Sequence, residues 1–429
     1  MRYTPLNSSI YKRNRRNFMD QMNGNSLAVF NSNDIYPVSA DSELPFEQHR
    51  DIFHLTGIDQ EETILLLYPP SKNERTREIL FIRKSDDHTK VWEGEKLSKE
   101  KATNLSGIEN IYFVDEFKKI LNSIAVKVDT FYINKNEHYR ANSPVETRED
   151  RFITWLLKNY PAHNVAKSNP ILQRQRSIKH PDEINQIKIA CDITMKGFNR
   201  VLKFIKPNVW EYEIEAEFIH EFINNSSKGF AYSPIIASGC DNNVLHYIKN
   251  NKKCKSGELI LMDVGAEYGN YSSDMTRTVP VSGKFSKRQK EIYNAVLKVK
   301  KEATNLLTVG NNWKIFHEQV GEIMTKELLN LGLISKTDVR NETKKNPAYK
   351  KYFMHGTSHH LGLDTHDYGL LGDPFQENMV FTVEPGIYIP EEGFGIRLED
   401  DVVIQSKGYP INLMKDIPIE PDHIEELMN

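Results

Sequence analysis

The stretch "ELILMDVGAEYGNYSSDMTRTV", Glu258 to Val279, sets two strand-like segments on either side of a tight turn and gives each an aspartate. Residues 258–266 are rich in aliphatic side chains, and residues 270–279 carry the Tyr, Thr and Val that favour strands. With Tyr268 and Gly269 as a two-residue loop, Asp263 falls directly across from Asp274. Cross-strand partners stand about 4.5–5.5 Å apart at Cβ, and like charges there are destabilising. A register one residue different sends the two side chains to opposite faces instead. On one face, two such carboxylates do not both ionise unless a cation sits between them, so the hairpin is expected to hold a metal.

The surrounding chain repeats this arrangement. From Pro181 a helix is marked by Ile184, Ile187, Cys191, Thr194, Phe198, Leu202 and Ile205 at three- and four-residue steps, ending at Pro207. A second helix over about 211–225 leads to a segment bearing His246, and then to the aspartate hairpin. Helices over about 286–307 and 313–331 follow, then "FMHGTSHHLGLDTHD", then the strands "MVFTVEPGIYIP" and "GFGIRLEDDVVI". Glu384 and Glu399 are equidistant from the connection at Glu391-Glu392. Two copies of helix, helix, histidine segment and carboxylate hairpin, packed face to face, bring four carboxylates into one pocket. That much negative charge is tolerated only if compensated, and two divalent cations would do so. Carboxylates with a histidine suit Mn²⁺, Fe²⁺, Co²⁺ or Zn²⁺, and paired metals serve hydrolysis. His246, His355, His359, His360 and His366 are all candidate ligands; residue types alone leave the choice open. Gly356 and Gly362 favour loop or strand over helix around the middle three.

Residues up to about 172 read differently. "SLAVFN", "ETILLLYPP", "EILFIRK" and "TFYINKN" are strand-like runs in an α/β domain, and a proline-rich passage separates residues 1–172 from 173–429. Near the N-terminus, Lys12, Arg13, Arg15 and Arg16 read as the solvated face of a first helix. A net charge of -3 does not suggest nucleic acid, and no apolar run is long enough to span a membrane. Three cysteines without a CxxC pair fit a reducing cytoplasm. "GTSHH" lacks the G-x-S-x-G elbow of serine hydrolases, which leaves Ser358 a backbone hydrogen-bonding residue.

"MDVGAEYGNYSSDMTRTVPVSGKFS", "HGTSHHLGLDTHDYG", "TVEPGIYI" and "GIRLEDDVVI" resemble, in order, the signature segments of the pita-bread metallopeptidases of type M24. The likeness is strongest to the aminopeptidase P branch, and "SADSELPFEQHRDIFHLTGIDQEETILLL" and "VWEGEKL" resemble that branch's N-terminal domain. The resemblance implies an α+β chain: a C-terminal pita-bread (creatinase/aminopeptidase) domain with a pseudo-twofold repeat, preceded by a smaller α/β domain that serves oligomerisation and the active-site rim. It implies two metal ions, most simply Mn²⁺, held by Asp263, Asp274, His359, Glu384 and Glu399, with Asp274 and Glu399 bridging. His246, His355 and His366 would surround the substrate, Arg397 would support the cluster and Tyr232 would line the pocket. Trp92 would approach the active site of a neighbouring subunit in a homodimer or homotetramer. His360 stands where relatives often carry an aromatic residue and receives no role. The implied reaction is release of the first residue from Xaa-Pro-Yaa peptides by a hydroxide bridging the metals. Prolidase, which takes Xaa-Pro dipeptides with the same ligands, is the nearest alternative. A pita-bread module that only binds peptides is the distant one, since every ligand position here is filled.

Overall fold

The structure is a computed structural model describing residues 2–429, which form two compact units: residues 5–176, and residue 177 to the C-terminus together with the first few residues of the chain. The boundary expected at 172 falls instead at the end of the helix Asn169–Ser177.

In the first unit, Ser26–Asn31 (β1), Ile64–Leu67 (β2), Glu78–Ile82 (β3), Ile111–Phe113 (β4), Thr130–Ile133 (β5) and Asn164–Lys167 (β6) form one mixed sheet. Its order is β4-β3-β2-β1-β5-β6, with β1 antiparallel to β2 and parallel to β5. The central strands read as unbroken apolar runs because both faces are covered. Ala28, Phe30, Leu65, Leu67, Leu80 and Ile82 pack with Phe18, Ile52 and Leu55 on one side. Leu27, Val29, Ile64, Leu66 and Phe81 pack with Phe117, Leu121 and Leu156 on the other. Burying each of these side chains contributes about 1.5–3 kcal/mol.

The first helix, Ser8–Met19, corrects one reading: Arg15 does not lie on a solvated face but is fully buried. Its guanidinium donates to the carbonyls of Leu55 and Ser106 at 2.8 and 3.0 Å and pairs with Glu78 at 2.8 Å. Two carbonyl hydrogen bonds and the Glu78 ion pair meet part of its desolvation, so a basic residue is held where an amphipathic pattern would place an apolar one.

The second unit has the pita-bread layout. Helices Pro181–Phe204 (α1) and Glu211–Asn224 (α2) precede Ile235–Ser238 (β7), Leu259–Val264 (β8), Glu267–Tyr268 (β9), Tyr271–Ser272 (β10) and Met275–Pro280 (β11). Helices Lys287–Leu306 (α3) and Trp313–Asn330 (α4) precede Val380–Val383 (β12), Gly386–Ile389 (β13), Phe394–Arg397 (β14), Asp400–Val403 (β15) and Ile411–Asn412 (β16). β11-β8-β7 and β12-β15-β16 are the two corresponding sheets. A capping box at His180 with Pro181 in the first turn starts α1, and Ser286 with Gln289 starts α3, which is why these helices begin where they do. No helix among the described residues is long and apolar enough to cross a membrane.

The fold subdivides at its ionisable core groups as well. In the first unit Glu149 is buried at the end of β1, accepting from the Asn31 backbone N–H at 2.8 Å and from Asn31 Nδ2 at 3.0 Å. Burial pushes its carboxyl up to about 8, the two Asn31 bonds opposing it. A carboxyl raised in the folded state favours folding while protonated, and that contribution is lost as pH rises from about 4.5 toward 8. Glu149→Gln is neutral throughout, so its urea midpoint should gain on the wild type steadily between pH 5 and 8.5; equal midpoint differences at both ends would remove the assignment.

Candidate metal centre

The aspartate hairpin departs from its expected register in an instructive way. Asp263 pairs with Thr276, not Asp274, and Tyr268 pairs with Tyr271, so the loop is Gly269-Asn270. Both loop residues have positive φ, 60° and 69°, the requirement of the turn that matches strand twist; Tyr268 would resist it at the first position, whereas glycine does not. Moving a two-residue loop by one position moves each pairing by two, and a shift of two keeps every side chain on its face. Asp263 and Asp274 are therefore diagonal neighbours on one face. One hydroxyl ties them: Tyr232 Oη lies 2.7 Å from Asp263 Oδ1 and 2.6 Å from Asp274 Oδ1.

In the second hairpin Val383 pairs with Asp400 and Gly386 with Arg397, so Glu384 falls opposite Glu399. The ladder is broken there: β12 and β13 are separated by Glu384-Pro385, and β14 and β15 by Leu398-Glu399. Proline supplies no N–H to the ladder, so the strand pair divides at the residues that carry the carboxylates. The hairpins are joined through β11, where Glu399 N–H donates to Thr276 O at 3.0 Å and Thr276 Oγ1 donates to Glu399 Oε2 at 2.6 Å.

His359 lies in a segment without helix, as its glycines indicated, and its Nδ1 faces the His360 carbonyl at 2.9 Å. That contact makes Nδ1 the protonated nitrogen and leaves Nε2 as the lone pair aimed at the cluster, 3.5 Å from Asp274 Oδ2 and 3.7 Å from Glu384 Oε1. His366 stacks edge-on against it at 4.4 Å between centroids. Asp274, His359 and Glu399 each offer a ligand atom, all within 4.8 Å of one another. Asp263 stands apart from that trio because its Oδ2 is drawn to Arg397 Nη2 at 2.5 Å.

Asp274 and Glu399 are buried, while the side chains of Asp263 and Glu384 are 14% and 20% exposed, so the pocket opens on their side. One guanidinium among four carboxylates leaves it strongly negative. Burial, then the charge of Asp263, holds the Asp274 carboxyl well above the usual range; burial, then Asp274 and Glu384, does the same to Glu399. Burial raises Glu384 to about 7. Carboxylates forced to keep protons, around an imidazole whose Nε2 faces two of them, are the donor set that divalent cations fit, since cations replace the protons and relieve the repulsion.

His355 is fixed differently. Its Nδ1 donates to the Gly356 carbonyl and its Nε2 accepts from Tyr388 Oη, both at 2.8 Å. Burial, then Arg397, lowers its pKa to about 3, so it is neutral. Tyr388 in turn accepts from Arg397 Nη1 at 2.9 Å, and Arg397 Nε donates to Thr276 Oγ1 at 3.1 Å. Sequence reasoning does not single out Tyr388 or Thr276, nor the charged residues behind the ligands. Asp401 accepts the Asp274 backbone N–H at 3.0 Å, and Arg277, fully buried, donates to the Glu399 carbonyl at 2.6 Å and to Asp400 at 2.7 Å. Lys300 pairs with the other Asp400 oxygen. Thr276, Arg277, Asp400 and Asp401 each follow Asp274 or Glu399 by one to three positions, the only signal available. Ser358 does not fill its expected part: its Oγ is buried without a hydrogen bond among the described residues. His246 is exposed, and Trp92, in the first unit, is 75% exposed on the helix Asp87–Glu93.

A buried carboxylate–histidine pocket on a duplicated α/β scaffold defines a metal-dependent hydrolase. Residues 185–406 match metallopeptidase family M24 and residues 11–132 match the aminopeptidase P N-terminal domain; the chain belongs to family M24. It is 34% identical to the Xaa-Pro aminopeptidase of Haemophilus influenzae, over 98% of this chain and 97% of that one. Among solved structures, aminopeptidase PepP of Pseudomonas aeruginosa superposes with a TM-score of 0.89 at 29% identity, over 99% of this chain and 98% of that one. Zinc-substituted Escherichia coli aminopeptidase P in complex with product gives 0.88 at 30% identity, over 99% of each chain.

Asp274→Ala and Glu399→Ala should each abolish turnover, yet melt no lower than wild type in chelator, because one repelling carboxylate is gone. Adding Mn²⁺ should raise the wild-type melting temperature, the gain being about 2.7 kcal/mol at a hundredfold excess over Kd. A variant that keeps the full metal-dependent shift would refute its residue's role as a ligand.

Proposed function

We propose that this protein is an Xaa-Pro aminopeptidase: it releases the first residue from peptides with proline in second place, using two divalent metal ions, Mn²⁺ in preference to Zn²⁺, Co²⁺ or Fe²⁺. What carries the reading is the convergence of Asp263, Asp274, His359, Glu384 and Glu399 in one pocket, on a chain alike over nearly its full length to Xaa-Pro aminopeptidases. Asp274 and Glu399, the deeper carboxylates, would be shared between the ions, and Asp263, His359 and Glu384 would complete the set.

Bound metal supplies an activated water and a polarised scissile carbonyl. The side chains do the remainder. Glu384, at the open side of the pocket, takes the proton of the attacking water and passes it to the departing proline nitrogen, which must be protonated to leave. His246 or His366 donates to the oxygen that becomes negative as the carbonyl is attacked. His355, with both nitrogens engaged, stands 3.8 Å from Glu384 and shapes its surroundings. Arg397 balances charge on Asp263, and Tyr232 keeps the two aspartates together. The tertiary proline amide has no N–H, so a site that requires one from its substrate rejects it.

The chain is proposed to act as a homodimer or homotetramer, with Trp92 reaching a neighbour's active site. Support comes from the exposure of Val91 and Trp92, 79% and 75%, at the end of a helix whose Glu93 is anchored by Arg83 and Lys96. Three free thiols support a cytoplasmic setting. The deciding assay compares Xaa-Pro-Yaa tripeptides with Xaa-Pro dipeptides on chelator-stripped protein, with and without Mn²⁺. Metal-dependent release of the first residue from the tripeptide is expected; cleavage of the dipeptide alone would make it a prolidase, and inactivity with every divalent metal would leave a peptide-binding module.

A further inference from the structure

His246 lies in a segment, residues 244–254, that has no helix or strand of its own, yet a donor to a developing charge must be held in place. The alternation of burial shows what holds it. Leu245 and Tyr247 turn inward, packing with Ile235, Ala237, Leu261 and Tyr388. Val244, His246 and Ile248 turn outward. The inward anchor ends in a hydrogen bond: Tyr247 Oη donates to Glu211 Oε2 at 2.8 Å.

Glu211 is the first residue of α2 and is wholly buried. Its carboxylate takes four hydrogen bonds from three residues, one in β7 and two in the segment that carries His246. Oε1 accepts from Ser238 N–H at 2.8 Å and Ser238 Oγ at 2.7 Å; Oε2 accepts from Tyr247 Oη and from Lys252 N–H at 2.9 Å. The Glu211 N–H donates to the Lys252 carbonyl, also at 2.9 Å, so the segment is tied to one residue both beside His246 and further along at Lys252. Below it, Asn250 accepts from Ile236 N–H at 3.0 Å and donates to Glu215 at 2.9 Å. Charge-assisted bonds of this kind are about twice as strong as neutral ones, and Glu211 has no contact with a metal ligand side chain.

We infer that Glu211 is a positioning residue for catalysis, fixing His246 over the reacting carbonyl through Tyr247. The inference rests on the proposed peptidase reaction. The Tyr247 ring shares a cluster with Tyr388, which contacts His355 and Arg397, so the loop and the metal pocket are built on the same buried layer.

The test is a double-mutant cycle of Glu211→Gln with His246→Ala, read as kcat and KM on an Xaa-Pro-Yaa peptide, with Mn²⁺ affinity measured in parallel by calorimetry. Displacing a reacting group by about 1 Å costs on the order of 100-fold in rate. Glu211→Gln should lower kcat by about 10- to 100-fold with KM and Mn²⁺ affinity little changed, and should cost less than about 2-fold more in the His246→Ala background. Tyr247→Phe, which deletes one hydroxyl, should show a smaller loss that also vanishes without His246, and it carries the test if Glu211→Gln does not fold. Equal losses with and without His246, weakened Mn²⁺ binding, or a His246→Ala variant as fast as wild type would each overturn the positioning role. A wild-type protein inactive on every Xaa-Pro peptide would instead remove the peptidase reading on which it stands.

Discussion

Everything in the second unit answers to the mutual repulsion of Asp263, Asp274, Glu384 and Glu399. Four carboxylates brought together away from bulk water are unfavourable, and nothing in the apolar packing around them can reverse that sign. The fold therefore imposes the arrangement from behind. Arg277 and Lys300 clasp Asp400, Arg277 also seizes the Glu399 carbonyl, and Asp401 takes the Asp274 N–H. These contacts hold backbone as well as side chains, so the cluster persists whether its charge is met by protons or by metal. Arg397, Tyr232 and Thr276 then work at the carboxylate oxygens themselves. Preorganisation of this kind is what makes a cation bind at a fixed place rather than gather loose ligands around itself.

The layers of support differ in what they hold. Contacts to main chain fix where a ligand residue starts; contacts to side-chain oxygens fix where it points. His355 is fixed at both ring nitrogens, His359 through its Nδ1 on the His360 carbonyl, and His246 through the anchors beside it. These anchors suit the parts proposed for the three imidazoles: His355 shaping the pocket, His359 ligating and His246 reaching for substrate.

Much of this was legible in the residues. A period-3.6 stripe marked the helix from Pro181, which presents one apolar face to a core, and the expected spans of the next three long helices agree with the observed ones to within about two residues. Clustered Val, Ile, Leu and Phe marked β1, β2, β3 and β5, whereas β4 has only three residues and β6, Asn-Val-Ala-Lys, is largely exposed and lacks the apolar cluster. The repeat of carboxylate hairpins was readable because a side-chain period of two survives an error in the loop. The error itself lies in taking Tyr268-Gly269 for Gly269-Asn270: strand propensity says little about which residues accept positive φ. Arg15 misleads because charge is taken to mean surface, and only tertiary partners could say otherwise. Glu211, Tyr388, Asp401 and Arg277 were silent for the same reason: each acts through groups far away in sequence.

The two hairpins that share the pocket are far apart along the chain, Asp263 and Asp274 in one, Glu384 and Glu399 in the other, joined through Thr276. During synthesis the first hairpin emerges with its pair of aspartates long before the second exists. Until residues 384–399 have left the ribosome and docked on β11, only half of the pocket exists, with neither glutamate and no Thr276–Glu399 bond to close it. Folding of this unit and acquisition of metal are thus ordered in time, the N-terminal half waiting on the C-terminal one.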